Sequence, residues 1–253
     1  MPNFSVCIET LFKEVDFVER IAKAKEAGAD AFEFWGYQNK DVDAVNKARK
    51  DVGLPLAAMS AAGGVALVDA ANKDKYVEAM KAGIEVAKKL ECTTVLQTVG
   101  QEIQGVPREK QHAAIVSCLT AVAPLLVKAG IILVLEPLNI LVNHKGYYLD
   151  KSSEGFAILR EVDSPNVKLL YDIYHQQITE GNLIETITKN IGQIAHFHMA
   201  DVPGRHEPGT GELNYVNIFK AIDKTGYDKY VGMEYHPTVA SMQAVKATIA
   251  LGR

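Results

Sequence analysis

The chain has 253 residues, 48% of them hydrophobic, and sets 27 Lys and Arg against 31 Asp and Glu for a formal net charge of −4 with histidine neutral. That length suits one α/β barrel with a substantial core and leaves little room for a second domain. The acidic balance provides no global positive field to draw in nucleic acid or an anionic membrane surface, so the expected partner is small.

The N-terminal stretch MPNFSVCIETLFKEV lacks a basic segment followed by an apolar core. No apolar run is expected to approach the roughly 18 residues of a membrane span. Cys7, Cys92 and Cys118 are odd in number and in no paired motif, which fits buried, reduced thiols better than a disulfide framework. The expectation is a soluble, cytoplasmic protein.

From there one unit recurs: a short β-branched run, a polar or glycine-containing segment, then a stretch with helical period. Predicted strands at 4–8, 31–35, 54–60 and 93–99 are separated by helical segments at 15–27, 40–52 and 74–90. Strands at 131–136, 167–172, 194–198 and 230–234 follow helices at 107–129, 152–162, 183–190 and 215–226, and residues 239–253 remain for an eighth helix. Gly28, Gly53, Gly130 and Gly226 lie between a helix and the next strand, where glycine accepts a left-handed cap cheaply. Eight alternating units imply a parallel sheet closed into a single-domain (β/α)8 TIM barrel over residues 1–253. No G-x-G-x-x-G follows an early strand, so a dinucleotide-binding sheet loses its main support. The longest loops, 61–73, 139–151 and 200–214, all follow strands and should share the barrel face that carries active sites.

The chemistry gathers at the same strand ends. His144, His175, His196, His198, His206 and His236 lie at or after strands five to eight, while His112 falls in a helix. Glu136 closes IILVLE, Asp172 closes VKLLYD and Glu234 closes YVGME, each after an apolar run belonging to the barrel wall. Several buried carboxylates repel one another unless a cation holds them. Glu136, Asp172, His198 and Glu234 would give one divalent metal ion three carboxylates and one imidazole, a set suited to Mn2+, Mg2+ or Co2+. Other readings stand beside this one: Glu136 and Glu234 in rim ion pairs, Asp172 as a helix cap, and His196 as a hydrogen-bonded core residue on the same strand face as His198. Glu9 and Glu33, at the ends of strands one and two, are candidates for the site or for polar roles at its rim.

With an ion in place, Glu136 and Glu234 become a proton-carrying pair. Chelation of neighbouring carbonyl and hydroxyl oxygens acidifies the C–H between them and stabilises the developing cis-enediolate. A proton taken and returned on one carbon gives epimerisation; a proton shuttled between neighbours gives isomerisation. His175 and Arg205 can hydrogen-bond the substrate, with helix capping and a surface ion pair as their plainer roles. Phe34, Trp35, Met59 and Tyr147 can wall the carbon chain or simply pack.

The segments LEPLN (135–139), YDIYH (171–175), HFHMAD (196–201) and GRHEPGTGELNY (204–215) resemble, in order and register, the xylose isomerase-like barrel superfamily, in the branch of hydroxypyruvate isomerases and ketose 3-epimerases of the D-tagatose 3-epimerase type. The resemblance implies metal ligation by Glu136, Asp172, His198 and Glu234, acid/base roles for Glu136 and Glu234, and substrate contacts from His175 and Arg205. His198 stands where glutamine is expected in hydroxypyruvate isomerases and matches the epimerases, whereas NILVNHKGYY (139–148) lacks the Arg and Glu expected after the equivalent glutamate in ketose 3-epimerases. The implied partner is a small sugar or hydroxy-keto acid, with neither nucleic acid nor membrane, and self-association as a homo-oligomer is left open. Two other readings are an endonuclease IV-like metal-dependent phosphodiesterase, which needs more metal ions and a basic groove, and a non-catalytic sugar-binding barrel.

Overall fold

The computed structural model describes residues 2–253. Among them, β1 (Asn3–Cys7), β2 (Ala31–Gly36), β3 (Leu56–Ser60), β4 (Thr94–Gln97), β5 (Ile132–Leu135), β6 (Val167–Asp172), β7 (Ile194–Met199) and β8 (Tyr230–Met233) pair in sequence order, all parallel, with β8 closing on β1. The outer layer is α1 (Glu19–Glu26), α2 (Val42–Val52), α3 (Lys73–Lys89), α4 (Arg108–Ala129), α5 (Ser152–Val162), α6 (Ile173–Thr179), α7 (Leu183–Asn190), α8 (Tyr215–Lys224) and α9 (Ser241–Gly252). This is the expected (β/α)8 barrel.

Period-two alternation divides each strand between two environments. Outward residues such as Phe4, Phe32, Leu133, Phe197 and Met233 join the main core beneath the helices. Phe4 meets Phe219 of α8 edge-on at 5.3 Å, a favoured arrangement for aromatic rings. Inward, Val134 and Leu170, with Ala195 at a β-bulge in β7 where the register with β6 shifts, form a small separate apolar cluster with Leu96 and Ile132 against it. Glu136 and Asp172 lie two residues beyond Val134 and Leu170, so the alternation aims both into the barrel mouth.

Three differences from the sequence reading have physical causes. The helix expected at 15–27 starts at Glu19, because residues 14–18 are taken up in turns. An additional helix, α6, starts at the last strand residue, where the Asp172 carboxylate caps it by accepting from the His175 backbone N–H at 3.1 Å. Finally, α4 is long and apolar enough by length and composition to cross a membrane, with a mean hydropathy of 1.7, contrary to the expectation of no such run. Its buried Ile115, Cys118, Leu119, Val122 and Leu126 face the barrel core, and interspersed alanines raise the average, as in any helix lining a large core.

Candidate active site

Four side chains from consecutive strand ends converge at the barrel mouth. Glu136 and Glu234 sit one residue past β5 and β8, Asp172 ends β6, and His198 lies within β7; all are at most 5% exposed. One ligand-capable atom from each lies within 4.8 Å of every other. His198 Nδ1 is 3.2 Å from Glu136 Oε1 and 3.5 Å from Glu234 Oε2, so the two glutamates flank one ring nitrogen. Among the described residues, the cations set against these three carboxylates are His198 and Arg205. A divalent ion fits this donor set, and the predominance of oxygen favours a hard or borderline metal over a structural zinc.

Arg205 Nη2 pairs with Glu234 Oε2 and stands 3.8 Å from Asp172 Oδ2. The indole N–H of Trp35 donates to Glu234 Oε1 at 2.7 Å, so both oxygens of Glu234 are engaged. Asn139 orients His175: its backbone N–H and side-chain amide both approach Nδ1, at 3.2 and 2.6 Å. Nδ1 therefore accepts and Nε2 carries the proton. Nε2 is buried without a hydrogen-bond partner, 3.5 Å from Asp172 Oδ2, and forms a donor at the floor of the mouth.

The loop after β7 delivers Arg205. The Asp201 carboxylate accepts from the backbone N–H groups of Val202, Gly209, Gly211 and Leu213 at 2.8–3.0 Å, folding the segment around one side chain. A Cβ at Gly211 would fall 2.1 Å from the Val202 carbonyl oxygen, so only glycine passes there. Arg205 itself adopts φ 58°, in the left-handed region, with its carbonyl accepting from the His236 N–H at 2.8 Å. Backbone strain of this kind persists where surrounding contacts dictate it.

These groups open into a cavity of about 440 Å3, walled by Trp35, Leu138, His144, His175, Arg205 and the two glutamates. That volume is in the range of small-ligand sites. Burial pushes the Glu136 carboxyl up to about 7, with His198 pulling it down and Glu234 and Asp172 pushing it further up. For His198, burial disfavours the cation, but the charges of Glu234 and Glu33 outweigh it and hold the imidazole well above its usual range. Burial and the Arg205 charge keep His175 well below its usual range, hence neutral. Burial opposes the Arg205 charge as well, and the Glu234 and Asp172 carboxylates restore it, raising its pKa.

The structure brings together Glu136, Asp172, His175, His198, Arg205 and Glu234, all named from sequence. Some plainer roles hold at the same time: Asp172 caps α6 and Glu234 is ion-paired with Arg205, a pair that is largely buried rather than the surface ion pair expected of Arg205. Glu9 instead pairs with Lys40 at 3.0 Å, away from the cluster. Of the proposed wall residues, Trp35 lines the cavity, Phe34 and Met59 pack in the core, and Tyr147 steadies the Glu136 backbone by donating to its carbonyl at 2.9 Å. His112 bridges Glu154 and Glu161 between helices. Sequence reasoning missed Asn139 and Asp201, although both stand inside the quoted motifs; an amide three residues after a strand-end acid and an acid before a glycine-rich loop were the available signals.

Residues 21–251 match the family described as xylose isomerase-like TIM barrel. The chain is 34% identical over 245 residues to hydroxypyruvate isomerase of Escherichia coli, covering 94% of each protein. It is 32% identical over 250 residues to 2-oxo-tetronate isomerase of Cupriavidus necator, again covering 94% of each. Among solved structures, a Brucella melitensis protein described as an AP endonuclease of family 2 superposes with a TM-score of 0.94 at 29% identity, covering 99% of both chains. An L-ribulose 3-epimerase superposes with a TM-score of 0.83 at 22% identity, covering 99% of this chain and 93% of that one, and shares the fold.

Proposed function

The chain belongs to the xylose isomerase-like TIM-barrel family, and on that premise we propose that it is a divalent-metal-dependent isomerase of a small hydroxy-keto acid, moving a proton between adjacent carbons with Glu136 and Glu234. The observation that carries this reading is the convergence of Glu136, Asp172, His198 and Glu234 on one buried point beneath a small-ligand cavity. The names of the 34% and 32% identical relatives support a 2-oxo acid as substrate.

These four residues would hold Mn2+, Mg2+ or Co2+, which when bound supplies Lewis acidity to neighbouring carbonyl and hydroxyl oxygens. Glu136, with its carboxyl near neutrality, takes the proton from the hydroxyl-bearing carbon and can release it to the neighbouring former carbonyl carbon. The electron pair of the broken C–H bond enters the enediolate and then forms the new C–H bond, while the hydroxyl proton passes to the other oxygen. Glu234, held by Trp35 and Arg205, stands on the other side of the His198 nitrogen and can serve the opposite face. His175 Nε2–H and the Arg205 guanidinium donate to substrate oxygens as negative charge builds on them.

One observation favours a second reading, 3-epimerisation of a ketose: the two glutamates flank a single point, as attack on both faces of one carbon requires. Proton NMR in D2O with hydroxypyruvate, 2-oxo-tetronate and a set of ketoses, with and without chelator, separates the outcomes. Metal-dependent deuterium uptake beside the carbonyl, with interconversion of a 2-oxo acid, is expected. Turnover that survives complete metal removal, or neither interconversion of nor exchange into any of these substrates with metal present, overturns the proposal.

A further inference from the structure

Beneath the acid-rich mouth the barrel interior holds a second polar cluster that the proposed chemistry does not use. Glu33 of β2 is 2% exposed, and its Oε2 accepts from Ser5 Oγ at 2.6 Å and lies 2.9 Å from His196 Nε2. Its other oxygen, Oε1, stands 2.8 Å from His198 Nε2 as an ion pair without hydrogen-bond alignment, and no hydrogen-bond donor satisfies it. Space for this carboxylate is left by Gly232 of β8, where a Cβ would fall 2.5 and 2.7 Å from the two Glu33 oxygens and 2.8 Å from His198 Cδ2. The opposite ring nitrogen, His198 Nδ1, faces Glu136 and Glu234.

An imidazole that donates one N–H to a carboxylate presents its other nitrogen in a fixed direction, and such carboxylate partners orient metal-binding histidines generally. The geometry points to Glu33 as the positioning residue for His198: its Oε1, at ion-pair distance from Nε2, keeps the N–H on that side of the ring, fixes the ring, and leaves Nδ1 facing the ion site. Ser5 and His196 hold the carboxylate in place and Gly232 gives it room. The inference rests on the metal-dependent reading above and extends it to strands β1, β2 and β8.

The test is Mn2+ titration by calorimetry of the parent, Glu33→Ala, Glu33→Gln and Gly232→Ala, each checked for native circular dichroism, with 15N shifts of His198 in the Mg2+-loaded proteins. Glu33→Ala should weaken Mn2+ binding by about 10- to 100-fold, the usual loss when such a partner is removed. In the same variant the His198 15N shifts should show loss of the single Nε2–H form. Glu33→Gln, which keeps an acceptor oxygen and the shape, should recover part of the affinity, and Gly232→Ala should lose it with Glu33 intact. If Glu33→Ala does not fold, the last two variants decide. A parent that binds one ion while the variants bind as tightly with an unchanged His198 signature overturns this inference alone. A parent that binds no ion overturns the metal-dependent reading and this inference with it. Two ions in the parent and one in Glu33→Ala would make Glu33 a ligand and overturn the positioning role.

Discussion

Two polar clusters in the barrel interior share one imidazole and differ in how their charges are matched. Around Glu33, one carboxylate meets Ser5, His196 and His198, and the position is closed off from solvent. At the mouth, three carboxylates, Glu136, Asp172 and Glu234, are set against the charges of His198 and Arg205, and they open on a cavity. A buried acid whose donors match it is explained by structure alone, whereas acids in excess of donors call for a ligand. On the proposed function, the mouth carries the chemistry and the Glu33 cluster supports it from beneath.

The largest effect should come from the mouth. Glu136→Gln and Glu234→Gln keep side-chain shape but remove the proton carriers, and each should lower kcat by about a thousandfold, within the range of general acid–base catalysis. Steady-state assays on the substrate found by NMR provide the measurement, and losses under tenfold would break the distinction between the clusters. Metal loading should come next. Mn2+ at a hundred times its dissociation constant adds about 2.7 kcal/mol by mass action, which in a chain of this size raises Tm by about 5–10 °C. Thermal melts before and after chelation read this shift, and Asp172→Asn should diminish it.

The pH response sharpens the contrast because the two clusters slope in opposite directions. Glu136 is raised to about 7 in the folded chain, so its contribution to metal-free stability is full below the ordinary carboxylate range and is lost as pH rises through about 7. Burial raises Glu33 too, but the charges and hydrogen bonds of His198 and His196 pull it below its usual range. Its contribution is therefore present above that range and is lost as pH falls through the lowered value. Because the ion must displace protons from Glu136 and His198, Mn2+ affinity should fall about tenfold per pH unit for each proton displaced below about pH 7. Calorimetry in buffers of different ionisation enthalpy counts those protons, and a flat affinity between pH 5.5 and 7.5 would contradict the assignment. The smallest effect is expected from Trp35→Phe, which keeps the ring and removes the N–H to Glu234. Trp35 is 45% exposed, so the lost bond is worth about 1 kcal/mol, roughly a fivefold drop in kcat with little change in stability.

Much of this arrangement was legible in the sequence because one physical rule covers it. Strand residues alternate faces, so an acid ending an apolar strand in step with inward positions must reach the barrel mouth; that rule placed Glu136, Asp172, His198 and Glu234. It also put His196 on the His198 face. Alternation gives the face of a residue, not its depth or the partner reached across the barrel. Glu33 and His198 are 165 residues apart in sequence, and only closure of β8 on β1 brings β2 toward β7. The seven-residue α6 is too short to display a helical period and starts on the strand's own last residue. Against the expectation of no apolar run of membrane-span length, α4 is such a run, although average apolarity does not separate a helix that lines a large core from one that faces lipid.

The central claim, that four strand-end side chains converge to hold one divalent ion, is tested most directly by anomalous diffraction from crystals of the Mn2+-loaded protein. The account predicts a single anomalous peak per chain within coordination distance of Glu136, Asp172, His198 Nδ1 and Glu234. A peak seated instead on Glu33 and His196, or none at the barrel mouth, would contradict it.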